Sequence, residues 1–211
     1  MNNQIVDALK WRYAVKKYDT TRKLPKETLE TLTDSLRLSP SSNGLQPWKF
    51  LVINDLLLRE KLREAAYGQP QVTEASHFIV LTRRTDINAD FIEHFVASTA
   101  EIRSVTVESL AGFKEYLLTF VNQISQTSLE SWASEQVHIA LGFLVETAAL
   151  LNVDASPMGG FDKQKFDSIL GLPQKHLASV VICALGYRAM DDKYSQLAKS
   201  RFPESEVIEV L

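Results

Sequence analysis

The chain has 211 residues, of which 45% are hydrophobic and 23% charged, the balance of a globular protein with a sizeable core. A formal net charge of -3 argues against nucleic acid as the main partner, and four histidines with one cysteine match no familiar zinc spacing and allow no intrachain disulfide. No apolar run approaches the about 18 residues of a membrane span, and the opening MNNQIVDALKWRY is too polar for a signal peptide or anchor, so a soluble chain in a reducing cytoplasm is expected.

In chain order, NQIVDALKWR places Ile5, Ala8 and Leu9 at helical spacing. LPKETLETLTDSLRLSP repeats the pattern: Pro25 suits a first turn, Leu29, Leu32 and Leu36 share a face, and Pro40 ends the segment. WKFLVIN reads as a buried strand, LLLREKLREAAYG as a helix ended by Gly68, and HFIVLTRR as a second strand. Asp90 to Ala100, Ser104 to Gln123 and Leu129 to Leu151 carry the helical period, and the last is apolar enough to be a central helix. DASPMGGFD predicts a loop, KQKFDSILGL a short helix starting near Asp162 and closed by Gly171, and LASVVICALGY a third buried strand. Cys183 sits inside that strand and is expected to be an inert core thiol. Trp48 and Trp132 are assigned to core or interface packing. The tail SEVIEVL alternates apolar and acidic residues, so an extended strand is expected, either folded onto its own sheet or paired with the sheet edge of another subunit. Three buried strands among roughly eight helices, with no repeat and no dividing linker, predict one α+β or three-layer α/β domain over residues 1–211.

Three cationic groups stand where loops meet regular structure: Arg12 with Lys16 and Lys17, Arg83 with Arg84, and Lys199 with Arg201. Lys199 and Arg201, two apart in an extended stretch, point the same way and can grip one dianion. In SPSSNGLQPWKF, successive small residues let backbone N–H groups approach a ligand, while the hydroxyls can donate to phosphate or sugar oxygens. In SPMGGFD, Gly159 and Gly160 can take positive φ and expose their N–H groups to one edge of a flat heterocycle. Neither a Rossmann fingerprint nor a P-loop is present, and Ser-His-Asp chemistry has no local signature.

Taken together, RYAVKKYD, SPSSNGLQPWKF, ASPMGGFD and AKSRFP resemble, in order and across the whole chain, the motifs of the FMN-dependent nitroreductase family, which includes flavin and dihydropteridine reductases. The resemblance implies a three-layer α/β/α sandwich with a central mixed sheet, in a homodimer that swaps its tails and holds two FMN molecules at its interface. It further implies that Arg12, Lys199 and Arg201 hold the FMN phosphate, with Tyr13 and Ala14 alongside and Lys16 at the pyrimidine edge. Pro40, Ser41, Ser42 and Gly44 would come from the partner subunit. Pro157, Met158, Gly159 and Gly160 would line the ring, with a backbone N–H near N5, and Gln69 or Gln71 would supply an amide to the flavin. Phe120 would overhang the open face and stack on substrate, or else serve as a core aromatic, and Asp90 to Gln123 is where a substrate lid would sit. Relatives carry serine at the position of Ala14 and can carry an acidic residue at that of Gly159. The activity implied is two-electron, ping-pong reduction of nitroaromatics, quinones or free flavins by NADH or NADPH, with no protein nucleophile and no metal. The alternatives are a flavin-binding module without efficient turnover, as in a sensor or storage protein, and a helical interaction protein that uses its tail.

Overall fold

The computed structural model describes residues 2–211. The chain runs through α1 (Asn2–Trp11), α2 (Lys26–Arg37), β1 (Trp48–Ile53), α3 (Leu56–Ala65), α4 (Gln71–Glu74), β2 (His77–Arg84), α5 (Ala89–Arg103), α6 (Ala111–Gln123) and α7 (Gln126–Leu150), then β3 (Asp154–Met158), α8 (Lys163–Leu170), β4 (Leu177–Gly186) and α9 (Glu204–Val207). The strands form one sheet in the order β1-β2-β4-β3. Helix starts are fixed locally, because the side chains of Asp55, Asn88, Ser125 and Asp162 accept bonds from the N–H groups of Leu58, Phe91, Ser128 and Lys165.

Alternation along β2 and β4 explains the layering. Phe78, Val80, Ile182 and Ala184 face one side, where Leu62 and Ala65 of α3 and Phe166 of α8 cover them. Ile79, Leu81, Val181, Cys183 and Leu185 face the other, under Leu32 and Leu36 of α2 and Val137, Ala140, Leu144 and Ala148 of α7. A sheet buried on both faces needs apolar residues at every position, so its central strands read as unbroken apolar runs. This gives the three layers expected, with the long α7 as the central helix.

Four features depart from the sequence expectation. All three strand pairings are antiparallel, and the parallel component is confined to a bridge between Ala14 and Ala155. Strand direction leaves no trace in a doubly buried apolar run, so a mixed sheet could not be told from this one. The stretch expected as a loop contains β3, and Pro157 is tolerated there because β3 lies at the end of the sheet with β4 as its one strand neighbour. Ser104 adopts φ 55 and ends α5, a 3-10 turn occupies Glu108–Leu110, and α6 begins only at Ala111. The tail is not a strand on its own sheet: Pro203 precedes the short α9, whose first turn carries Glu204 and Glu206, and Val207, Ile208, Val210 and Leu211 are exposed.

Gly186 ends β4 where Tyr18 crosses the sheet and donates from its hydroxyl to the Ala184 carbonyl at 2.8 Å. A Cβ at this position would lie 2.9 Å from Tyr18 Cδ1 and 3.0 Å from the backbone nitrogen of Ser76. Gly186→Ala is therefore expected to cost about 1–3 kcal/mol in urea unfolding, the range for overpacking against atoms that cannot move away. An unchanged midpoint would show that Tyr18 swings aside freely.

Candidate functional site

A cleft of about 700 Å³ opens between the end of α1 and the segment leading into the tail, and its lining includes Arg12, Tyr13, Lys16, Arg188, Lys199 and Arg201. Its frame is a carboxylate. Asp192, which is 3% exposed, accepts through Oδ2 from the Tyr13 hydroxyl at 3.0 Å and the backbone N–H groups of Lys16 at 2.9 Å and Lys17 at 3.3 Å. Its Oδ1 accepts from Tyr194 N at 3.1 Å. Burial alone would push this carboxyl up, but the donors from Lys16, Tyr194, Lys17 and Tyr13 outweigh it and hold it below the usual carboxylate range. The Tyr13 phenol is raised, first by burial and then by its bond to Asp192.

A second strut lies beside the first. Buried Asp154, at the start of β3, accepts from Arg188 N at 2.7 Å and from Arg188 Nε at 2.8 Å. The Arg188 guanidinium is sandwiched between the rings of Trp11 and Tyr13, at 4.2 and 4.5 Å. Ala14 bridges to Ala155, so the 12–17 turn is fixed against the sheet on one side and against residues 188–195 on the other.

On this frame Arg12, Lys199 and Arg201 converge, and none of them makes an ion pair among the described residues. Burial, then the neighbouring Arg201, lowers the Arg12 guanidinium; burial, then Arg12 and Arg201, lowers the Lys199 ammonium. Lys199 Nζ donates to the carbonyls of Leu9 and Arg12 at the end of α1. Arg12 Nε is buried without an acceptor. The other cationic candidates are neutralised: Lys17 pairs with Asp191, Arg83 with Glu130 at 2.8 Å, and Arg84 with Asp86 at 2.5 Å. Lys16 is exposed on the cleft wall with no ion pair of its own among the described residues. Three converging cations and an orphaned guanidinium donor fit a dianionic phosphate.

A second part of the site joins the 69–71 and 157–160 segments. Gln69 Nε2 donates to the carbonyls of Gly160 at 2.8 Å and Ala66 at 3.0 Å. Gln71 is 4% exposed, and its Oε1 is buried with no donor. Pro157 is half-buried, and Met158 packs into the core between the sheet and α8. Gly159 and Gly160 are exposed and do not take the positive φ expected of them. A Cβ at either would meet nothing, so open space stands in front of both, and no backbone carbonyl accepts from their N–H groups.

Pro40, Ser41, Ser42 and Gly44 do not line the cleft. Gln136 of α7 accepts from Ser42 N at 2.8 Å, Ser41 Oγ accepts from Gln46 N at 2.9 Å, and Gly44 borders a separate groove with Phe95 and Phe113. Phe120 is half-buried, packed edge-on against Trp132 at 5.4 Å. The sequence reading missed Asp192, Asp154, Arg188 and Trp11. For Arg188 and Asp192 the visible trace is the YRAMDD stretch, with its acidic pair.

Known proteins are similar to this chain in sequence and fold. The model described as "Nitroreductase family" matches residues 9–187. A Staphylococcus epidermidis protein provisionally named an NAD(P)H nitroreductase is 34% identical over 208 residues, covering 95% of this chain and 94% of its own. A provisionally named nitroreductase of Bacillus subtilis has the same fold, with a TM-score of 0.87 at 19% identity and full coverage of both chains. Another, from Exiguobacterium sibiricum and solved in complex with FMN, has a TM-score of 0.82 at 21% identity, covering 98% of this chain and 97% of its own.

Because the Asp192 carboxyl is held below its ordinary value, the stability it contributes is fully present above the unfolded carboxylate range near about pH 4 and is lost as pH falls through the folded value. Asp192→Asn, which removes the charge, should lower unfolding stability at pH 7 by about 1.5–3 kcal/mol. The gap from the parent protein should close on acidification. Urea titrations at neutral and acid pH check this, and a gap of constant size would refute the role of the charge.

Proposed function

We propose, from the premise that the chain belongs to the nitroreductase family, that it is an FMN-dependent oxidoreductase that takes electrons from NADH or NADPH and passes them in pairs to nitroaromatics, quinones or free flavins. The observation that carries the reading is the convergence of Arg12, Lys199 and Arg201 around an orphaned guanidinium donor, with no protein anion among the described residues to satisfy it. When bound, FMN supplies the two-electron redox chemistry that no side chain here can supply.

The chain's own residues divide the remaining work. Arg12, Lys199 and Arg201 neutralise and orient the phosphate. Lys16 places a charge at the pyrimidine edge, where negative charge develops on reduction. The carboxamide of Gln71 would pair with the same edge, and the exposed N–H groups of Gly159 and Gly160 would serve the ring. Donor and oxidant use one open face in turn, so no side chain is required to act as nucleophile or obligatory acid.

The Ser41–Ser42 turn completes the site from a second copy of the chain. Supporting this, α7 leaves Ile139 and Phe143 exposed on either side of Gly142, α1 exposes Ile5, Val6 and Leu9, and the tail exposes Val207, Ile208 and Val210. A swapped tail would cover these apolar residues in the homodimer. No helix among the described residues is long and apolar enough to cross a membrane, in keeping with a cytoplasmic location.

An anaerobic absorbance spectrum of the purified protein, recorded before and after NADH and then NADPH, tests the activity. The expected outcome is a flavin spectrum that bleaches and recovers with a nitroaromatic or a quinone. A flavin spectrum that persists would overturn the reductase reading, and a protein that takes up no FMN would overturn the site. Arg201→Ala should weaken FMN binding roughly ten- to hundredfold, the loss of one or two charge-assisted bonds, and leave riboflavin binding unchanged. Equal losses for the two ligands would refute the phosphate assignment.

A further inference from the structure

Arg59 of α3 is the largest fully buried side chain, 2% exposed, and it has no carboxylate partner among the described residues. Its guanidinium instead spans three backbone carbonyls: Nε donates to Val72 O at 2.6 Å, Nη2 to Ala75 O at 2.6 Å and Nη1 to Ser76 O at 3.4 Å. Burial pulls the guanidinium down to about 10, so the charge persists at neutral pH. A buried cation without a counter-ion is costly, and a planar fork matched to carbonyls is the arrangement that makes it tolerable.

Those carbonyls belong to Val72 of α4 and to Ala75 and Ser76 just after it, and α4 is a single turn of four residues, too short to hold its own shape. Gln71 opens that turn, and its buried Oε1 has no donor. Gln69, two residues earlier, is tied to Gly160 and Ala66. The segment is thus clamped at both ends, by Gln69 at the start and Arg59 at the finish, with one unsatisfied carboxamide held between them. A carboxamide offers an acceptor beside two donors, the complement of an imide edge such as that of a flavin pyrimidine.

We propose that Arg59 is a positioning residue for the cofactor, fixing the turn that presents the Gln71 carboxamide to the pyrimidine edge of FMN. The proposal rests on the FMN reading above. It gives the two glutamines different work: Gln71 meets the ligand, while Gln69 and Arg59 hold the segment in place.

The test is a double-mutant cycle on full-length protein, with the FMN dissociation constant read from quenching of flavin fluorescence and thermal midpoints recorded in parallel. Arg59→Met and Gln71→Ala should each weaken FMN binding about tenfold. The double variant should also be about tenfold weaker, not about a hundredfold, because both changes remove the same contact. Arg59→Lys keeps the charge but cannot span the Val72 and Ala75 carbonyls, so it should behave like Arg59→Met; it replaces that variant in the cycle if the methionine protein does not fold. Parent-like affinity in a folded Arg59 variant, or additive losses in the double variant, would overturn the proposal while leaving the cofactor reading intact. Absence of FMN binding by the parent protein would overturn both.

Discussion

The cleft depends on one carboxylate. Asp192 gathers donors from Tyr13, Lys16 and Lys17, residues some 175 to 179 positions away in sequence. Those bonds hold the turn after α1 against the segment that leads into the tail. The two segments carry Arg12 and Lys16 on one side and Lys199 and Arg201 on the other, so the cationic site exists only where they meet. Burying the carboxylate is costly in itself, and four donors at hydrogen-bond distance more than offset that cost. Arg188, stacked between Trp11 and Tyr13 and held by Asp154, braces the same junction from the sheet side.

Charge is handled differently inside and outside the cleft. Lys17, Arg83 and Arg84 all have a carboxylate in contact, whereas Arg12, Lys199 and Arg201 have each other. Mutual repulsion at partly buried positions is a strain that an anion relieves, and it marks which cations are free to bind one. Lys199 is only partly available, since it also caps the carbonyls at the end of α1. That bond ties the segment leading into the tail to the end of the first helix.

Much of the fold was legible because burial dictates composition. β1, β2 and β4 are largely apolar runs, and α2, α3, α7 and α8 put apolar residues on the faces of the sheet. What escaped was information the side chains do not encode locally. Strand direction is silent in a doubly buried run, and the proline in β3 argued for a loop when an edge strand also accommodates it. The cations of the cleft were legible as residue types in loops, but their frame was not. Asp192 and Asp154 act through partners far away in sequence, and nothing near them announces a contact with Tyr13 or Arg188. Gly159 and Gly160 do not take the positive φ open to them, but they are exposed and their N–H groups have no backbone acceptor, the other property noted for them.

The proposed completion of the site by a second copy has a thermodynamic consequence. Arg12, Lys199 and Arg201 line the cleft, Gln69 ties the 69–71 segment to Gly160, and the Ser41–Ser42 turn sits apart, held by Gln136 of α7. The same helix exposes Ile139 and Phe143. On the proposed reading, a ligand gripped by those cations and covered by the serine turn of another copy binds the dimer better than the monomer. By linkage such a ligand strengthens association by the same factor by which association strengthens its own binding. On that reading helix α7 would carry the coupling, since it packs on the sheet, exposes Ile139 and Phe143 and holds the serine turn through the buried Gln136.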